Sequence, residues 1–177
     1  MAKIKFSGPL SPRLNSYLTI SRIALTTYGR RAIGRRIAPD WDANTEIGIL
    51  FVRHQFTAAM TMPDIARGRL LFDSLQAETD DVYEVEVEQC AAPTGQWYRP
   101  KTLRSDATLL YLHGGGYTFH GGVSKRFAAM LAHHTGATVF APDYRLTPEH
   151  PHPAQADDAL AAWSYVSTKI PAKDMVV

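Results

Sequence analysis

The chain has 177 residues, of which 45% are hydrophobic and 20% are charged, and its formal net charge is +2. These values are typical of a soluble globular chain with one sizeable core, and they argue against intrinsic disorder and against nucleic acid as a partner. The single cysteine, Cys90, excludes an internal disulfide and favours the cytoplasm, and no apolar run is long enough to predict a transmembrane helix.

The N-terminal segment is strongly basic. Residues 1–39 contain eight basic residues and no acidic one. Such a segment is typical of an organellar transit peptide or of a helix that lies on a membrane surface. A set of residues at helical spacing nevertheless forms one mostly apolar face: Leu14, Tyr17, Leu18, Ser21, Leu25 and Tyr28. We therefore predict a helix that packs this face on its own protein, and no contact with a membrane.

Two further helices are predicted between Ile47 and Gln76, where apolar residues recur at helical spacing and Pro63 interrupts them. The chain then changes character. Residues 82–89 (VYEVEVEQ) alternate strictly, residues 95–100 (GQWYRP) follow a Pro-Thr-Gly turn, and residues 107–112 (ATLLYL) are almost continuously apolar. These three patterns predict strands.

The rest of the chain alternates between helix and strand. Residues 124–134 predict a helix that ends at Gly136, and residues 137–144 (ATVFAPDY) predict a buried strand. Residues 154–170 predict another helix, and DMVV at 174–177 begins another strand. This order predicts an α/β fold with about five mostly parallel strands and right-handed crossovers.

A glycine-rich loop follows one of the buried strands. The sequence LLYLHGGGYTFHGG (109–122) places Gly114, Gly115 and Gly116 at the end of that strand, which is where ligands bind in open α/β sheets. Consecutive glycines favour a sharp turn or a close approach of backbone N–H groups to an anion. Neither phosphate motif, G-x-x-x-x-G-K-[ST] or G-x-G-x-x-G, is present. His-Gly-Gly-Gly after a strand instead supplies oxyanion-hole N–H groups in lipases and esterases.

A second motif makes the resemblance specific. Residues 141–163 (APDYRLTPEHPHPAQADDALAAW) closely follow a block of the hormone-sensitive-lipase-like, or bacterial family IV, carboxylesterases. Thr147 stands where that family usually has alanine, and His152 where it usually has phenylalanine. The chain resembles this family directly over about residues 80–177. The resemblance implies an α/β-hydrolase fold in which residues 1–78 form a helical cap region and residues 79–177 form the N-terminal half of the core.

The resemblance also implies the site residues. The N–H groups of Gly115 and Gly116 are expected to have a catalytic role, binding the oxyanion that forms when a serine attacks an ester carbonyl. His113, Gly114 and Tyr117 are expected at the substrate. His113 would shape the loop through hydrogen bonds rather than act as the catalytic base. Tyr117 would line the pocket or pack in the core, and the sequence leaves both open.

Other reactive side chains are given structural roles or none. Arg145 is expected to clamp a carboxylate such as Asp158, and His120 has no assignment. Two histidine pairs do not have the spacing of a metal site. These are His133 with His134, and His150 with His152. Cys90 has no sequence signature of a nucleophile around it, and we expect neither a metal nor another cofactor.

The sequence contains no G-x-S-x-G nucleophile elbow, because neither Ser124 nor Ser164 has the flanking glycines. We therefore expect part of a serine carboxylesterase for small, short-acyl esters, inactive by itself. We also expect it to associate with the missing C-terminal half or with another copy of itself. Two alternatives stay open: a small-molecule receptor of the same fold, similar to the plant gibberellin receptors, and an inactive truncated fragment.

Overall fold

The computed structural model describes residues 9–74 and 82–177. The chain divides into two compact units, Met1–Glu78 and Thr79–Val177, and each unit is described by itself. Of the basic N-terminal residues, Lys3 and Lys5 lie outside the described residues, as do residues 75 and 76 of the predicted helical segment.

The first unit contains the three predicted helices: α1 (Leu10–Ala32), α2 (Ala43–Met60) and α3 (Ile65–Asp73). Aspartates begin the second and third helices, since the Asp42 carboxylate accepts the Thr45 N–H at 2.7 Å and that of Asp64 accepts the Arg67 N–H at 3.2 Å. Helix α2 buries residues spaced one turn apart, and α1 packs on it. The buried residues of α2 are Glu46, Ile47, Phe51, Gln55 and Ala59.

Polar contacts join α1 to α2. The Gln55 amide donates to the Ser16 hydroxyl at 2.9 Å, and both side chains are fully buried. Arg31 bonds the buried Glu46 carboxylate at 3.0 Å. These contacts fix which side of α1 faces α2, because a buried carboxylate or amide is costly without its partner.

The predicted packing face of α1 is wrong. The α1 residues that are fully buried are Ser16 and Thr27, whereas the apolar residues of the predicted face are exposed. The exposed fractions are 53% for Leu14, 43% for Tyr17, 71% for Leu18, 77% for Leu25 and 56% for Tyr28. The reason is that α1 meets α2 through the side that carries Ser16, whose hydrogen bond to Gln55 sets the rotation of the helix.

The second unit contains a five-stranded mixed sheet. Its strands are β1 (Val85–Ala91), β2 (Thr94–Pro100), β3 (Thr108–Leu110), β4 (Thr138–Pro142) and β5 (Met175–Val176). Their order in space is β1-β2-β4-β3-β5. The strands β3, β4 and β5 pair in parallel, and β2 pairs antiparallel with β1 and β4. The predicted α/β fold and its five strands are confirmed, and the antiparallel pairs lie on the β1 side.

Two helices connect the parallel strands. Helix α4 (Gly122–Thr135) runs between β3 and β4, and α5 (Ala154–Ser167) runs from β4 towards a 3₁₀ turn at Ala172–Asp174 and β5. As predicted, α4 ends at Gly136, which has a left-handed φ of +67°. Parallel neighbours need such crossovers, because the end of one strand and the start of the next lie at opposite edges of the sheet.

The core of the second unit has two layers. Trp97, Leu110 and Phe140 pack with Ala162 and Val166 of α5. On the other face of the sheet, Tyr98 and Val139 pack with Ala128 and Ala132 of α4. The neighbours Trp97 and Tyr98 thus face opposite helices, as the two-residue period of a strand requires. The sheet therefore lies between the two helices and directs the carboxyl ends of β3 and β4 to the same edge.

Candidate active site at the carboxyl ends of β3 and β4

The glycine-rich loop, residues 113–119, follows β3 and turns sharply. The Gly115 carbonyl accepts the Thr118 N–H at 3.2 Å and the Phe119 N–H at 3.0 Å. Gly115 has a φ of +128°, and a Cβ added to it would lie 2.0 Å from the Phe119 carbonyl oxygen. No side chain is therefore compatible with this position. Gly116 and Tyr117 follow with φ values of +61° and +60°.

The turn leaves two backbone donors unused. Among the described residues, neither the Gly115 N–H nor the Gly116 N–H has a hydrogen-bond partner. Gly115 is half-buried and Gly116 exposed, at the edge of the sheet where parallel strands end. Adjacent N–H groups in such a turn form an anion-binding concavity. The loop can therefore donate to a negatively charged oxygen.

His113 lies in a stack of three rings at the base of this loop. Its ring packs parallel to Tyr144, with centroids 4.0 Å apart, and on the other side lies 3.9 Å from the ring of His120. Burial lowers the pKa of His113 to about 4, so the ring is neutral at neutral pH. Its Nδ1 lies 2.9 Å from the Gly114 carbonyl, which can only accept, so the proton is on Nδ1.

The main chain of His113 is held as well. The Tyr144 hydroxyl donates to the His113 carbonyl at 2.5 Å. Burial raises the pKa of Tyr144 to about 12, so the phenol keeps the proton that it donates. Tyr144 follows β4 and His113 follows β3, so this bond joins the ends of two neighbouring parallel strands. His113 therefore orients the loop from both its ring and its backbone.

His120 makes the contact that sequence reasoning missed. Its Nε2 lies 2.8 Å from the Asp143 carboxylate, and the Lys125 ammonium is 4.0 Å from the other carboxylate oxygen. The hydrogen bond from His120 holds the pKa of Asp143 below its usual value, and Lys125 adds to this effect. No local signal could have predicted the pair, because the parallel pairing of β3 with β4 brings the two residues together.

A pocket of about 440 Å³ opens beside the loop. It is lined by Leu112, His113, Tyr117, Tyr144, Thr147, His152, Gln155, Ala156 and Ala159. Of the three residues expected at the substrate, His113 and Tyr117 line this pocket, and Gly114 does not. Tyr117 is 61% exposed as a residue, so it does not pack in the core. The two residues at which this sequence departs from the resembled motif, Thr147 and His152, both face the pocket.

Hydrogen bonds connect the loop with residues 143–158. The Thr147 N–H donates to the Tyr117 carbonyl at 2.8 Å, and the Thr147 hydroxyl lies 2.8 Å from that of Thr118. Arg145 pairs with Asp158, as predicted, through its backbone N–H at 2.8 Å and its guanidinium at 2.7 Å. This contact lowers the pKa of the Asp158 carboxyl. The Arg145 side chain is 47% exposed, so solvent screens the pair and its contribution to stability is small.

The remaining candidates stay apart. Among residues 9–74 and 82–177, no group of three or more His, Cys, Asp or Glu side chains has the arrangement of a metal site. In the same residues, no helix combines the length and the apolar character that crossing a bilayer requires. Cys90 is a half-buried free thiol near the end of β1, which is an edge strand.

The glycine-rich loop lies in a segment that is similar to known proteins. Residues 109–176 match the family described as "alpha/beta hydrolase fold". The chain is 41% identical over 99 residues to an acetyl-hydrolase of Streptomyces hygroscopicus, covering 55% of this chain and 31% of that protein. It is 33% identical over 121 residues to a carboxylesterase, NlhH, of Mycobacterium tuberculosis, covering 63% of this chain and 37% of that protein.

Solved structures agree on the fold. A hormone-sensitive lipase from a metagenome library matches with a TM-score of 0.55 and 25% identity, over 67% of this chain and 41% of that one. EstE5 matches with a TM-score of 0.60 and 24% identity, over 72% and 46%. The chain spans about a third of the length of the curated relatives above. By its sheet, its two motifs and these relatives, the chain resembles the hormone-sensitive-lipase-like esterases, and residues 109–176 match part of the α/β-hydrolase fold.

Proposed function

We propose that this chain provides the oxyanion-binding part of a serine carboxylesterase that hydrolyses small, short-acyl esters. The observation that carries the proposal is the geometry at Gly115 and Gly116. Two adjacent N–H groups have no partner among the described residues, in a turn where a Cβ on Gly115 would strike the Phe119 carbonyl at 2.0 Å. A side chain is excluded there, so the backbone itself can approach the reacting carbonyl.

The chemistry follows from the placement of these donors. When a nucleophile attacks an ester carbonyl, negative charge develops on the carbonyl oxygen. Fixed N–H donors stabilise this charge without reorganising, and one such donor is worth about 2.7–4 kcal/mol of barrier. The ring stack of Tyr144, His113 and His120 supports the loop from below and keeps the donors oriented.

The substrate class is inferred from the pocket and the relatives. Tyr117, Tyr144 and Leu112 give the pocket of about 440 Å³ a largely apolar wall, which suits a short acyl or alcohol group. The relatives include an acetyl-hydrolase and, in Salmonella paratyphi A, an acetyl esterase. We infer that acetyl and similarly short esters are the substrates, and that no cofactor takes part.

The nucleophile, the acid and the base come from another polypeptide segment in this proposal, because the 177 residues contain no G-x-S-x-G. Strand β5 supports such an association: it pairs with β3 on one side, and among the described residues its other side has no neighbour. Residues 1–78 would act as a cap region. The free thiol of Cys90 is compatible with the reducing cytoplasm, where we place the protein.

The test compares two substitutions of one residue in the enzyme assembled from this chain and a polypeptide with the Ser, Asp and His segments. Gly116→Pro removes an N–H donor and cannot adopt the φ of +61°, so kcat on p-nitrophenyl acetate should fall about a hundredfold or more. Gly116→Ala keeps the donor and has open space for its methyl group, so kcat should fall less than about tenfold.

Circular dichroism shows whether both variants are folded. Equal kcat values for a folded Gly116→Pro variant and the unchanged chain would contradict the oxyanion assignment. Saturable binding of the ester by the assembled protein without any turnover would favour the receptor alternative instead.

A further inference from the structure

Stacked rings close the two ends of the glycine-rich loop. His113 is the first residue of the loop, His120 directly follows its last one, and the centroids of their rings lie 3.9 Å apart. Two consecutive residues that follow β4 hold these ends. The Asp143 carboxylate bonds the His120 ring at 2.8 Å, and the Tyr144 hydroxyl bonds the His113 carbonyl at 2.5 Å. Both ends of the loop therefore depend on one short segment at the end of the neighbouring strand.

The hydrogen bond between His120 and Asp143 has a charged acceptor. The bond holds the pKa of the Asp143 carboxyl below its usual value, so this group is ionised at neutral pH and can only accept. The proton of the bond is therefore on His120 Nε2. Only 16% of the His120 side chain and 28% of the Asp143 side chain are exposed, so solvent competes little with the bond. Such a charge-assisted bond is about twice as strong as a neutral one, and it fixes the His120 ring.

Neither ring nitrogen of His120 is available to take a proton from a nucleophile. Nε2 carries the proton that it donates to Asp143. Nδ1 is buried by residues of this chain and has no hydrogen-bond partner among the described residues. A general base needs a nitrogen within hydrogen-bond reach of the proton that it removes. These contacts exclude His120 as the general base, so any effect that it has on the reaction passes through its neighbours.

The neighbour that His120 contacts is linked to an oxyanion donor by one peptide group. The His113 ring stacks on that of His120, and His113 Nδ1 donates to the Gly114 carbonyl at 2.9 Å. The Gly114 carbonyl and the Gly115 N–H belong to the same planar peptide, so they can only rotate together. A displaced His113 ring would release this carbonyl and let the Gly115 N–H turn away from the reacting oxygen.

We propose that His120 is a positioning residue for the oxyanion donors. Its bond to Asp143 fixes the ring on which His113 stacks, and His113 in turn fixes the direction of the Gly115 N–H. His120 has this role only if the Gly115 N–H binds the oxyanion, so the assignment rests on the proposed function. It gives the pair of His120 and Asp143 a part in the reaction, although neither side chain touches the substrate.

Substitutions of His120 in the assembled enzyme separate positioning from proton transfer. His120→Ala should lower kcat on p-nitrophenyl acetate about ten- to hundredfold, because small displacements of a catalytic donor have effects of this size. KM should change less than about twofold. His120→Gln keeps an N–H donor for Asp143 but cannot act as a base. Its kcat should therefore be at least about fivefold higher than that of His120→Ala.

A double-mutant cycle tests whether the two side chains act together. Asp143→Ala should lower kcat by about the same factor as His120→Ala, and the double variant should be no slower than either single one, because each change removes the same bond. The matched control is His133→Ala. It removes another histidine that bonds across elements, to the Glu84 N–H at 3.3 Å, near the far end of α4 from the loop. Its kcat should stay within about twofold of the unchanged enzyme.

A transition-state analogue gives a second readout. The serine oxygen adds to the carbonyl carbon of a trifluoromethyl ketone and leaves an oxyanion, so the inhibition constant should rise by the factor by which kcat falls. Circular dichroism and urea unfolding show which variants are folded, and Asp143→Ala provides the same test if His120→Ala does not fold.

The Gly116→Pro variant distinguishes the ways in which this proposal can fail. An unchanged kcat in folded Gly116→Pro would overturn the proposed function and the role of His120 with it. A slow Gly116→Pro variant beside an unchanged kcat in folded His120→Ala would overturn the role of His120 alone. Two further results would also overturn that role. One is a His120→Gln variant as slow as His120→Ala, and the other is additive losses in the double variant.

Discussion

The pH dependence of stability should depend on the buried ring of His113. Its pKa of about 4 in the folded chain lies below the usual 6.5, so between these values the unfolded chain binds a proton that the folded chain does not. The free energy of unfolding therefore falls as the pH drops from about 6.5 towards 4. His113→Phe keeps a ring between Tyr144 and His120 and removes the titration, so this fall should become shallower.

Urea unfolding at several pH values measures the slope. The Asp143 and Asp158 carboxyls have pKa values lowered from 3.8, so the stability that they contribute is lost below this window. The slope rather than the absolute stability is the measured quantity, because the variant also loses the hydrogen bond to the Gly114 carbonyl. An identical slope in the His113→Phe chain would contradict the pKa assignment.

Individual site residues could be predicted from the sequence only where they belong to a local sequence motif. The three consecutive glycines indicate the loop directly, because few other structures require them. His120 has no such signal, since its partner Asp143 comes close only through the parallel pairing of β3 with β4. The exposure of Tyr117 follows from the same tertiary packing and could not be read from an aromatic residue in the sequence.

At the scale of elements, two glycines should respond in opposite directions to replacement by alanine. Gly136 ends α4 with a φ of +67°, and a Cβ there would lie 2.7 Å from Arg104, whose guanidinium bonds the last carbonyls of that helix. Gly136→Ala should lower the free energy of unfolding by about 1 kcal/mol or more. Gly48 lies inside α2 with open space around it, and Gly48→Ala should raise this free energy by about 0.5–1 kcal/mol. Urea denaturation of the two variants, each followed by circular dichroism, measures both changes, and changes of the same sign would contradict this account.

The elements and the α/β fold were predicted from the sequence, whereas the order of the strands and the packing face of α1 were not. Hydrophobic spacing and the stop at Gly136 indicated α4, α5 and the strands, because local chemistry determines them. The rotation of α1 was mispredicted. An amphipathic pattern shows which face is apolar but not what covers it, and the buried pair of Ser16 and Gln55 turns the other face towards α2. The order β1-β2-β4-β3-β5 likewise depends on pairing between distant strands.

At the scale of the whole molecule, we predict that the 177-residue chain alone does not hydrolyse p-nitrophenyl acetate or butyrate. Oxyanion donors without a nucleophile and a base retain only a small part of the rate enhancement. Adding a polypeptide with the Ser, Asp and His segments should restore turnover, because among residues 9–74 and 82–177 strand β5 has a neighbouring strand on one side only, and Val176 is 53% exposed. Assays with each polypeptide alone are the controls. Turnover by the single chain that a serine-directed inhibitor abolishes would contradict this prediction.

Within the described residues, Tyr117 is the one residue other than glycine with a positive φ. Such a backbone costs about 1 kcal/mol or more, and a glycine would avoid this cost. Thr147 holds the Tyr117 carbonyl from the neighbouring segment and so maintains the conformation. The position of Tyr117 in the pocket wall therefore depends on two segments that are distant in sequence, residues 113–119 and residues 143–158. Residues 113–119 transplanted onto another protein would relax, whereas a transplant that also includes residues 143–158 would carry the aromatic wall with it.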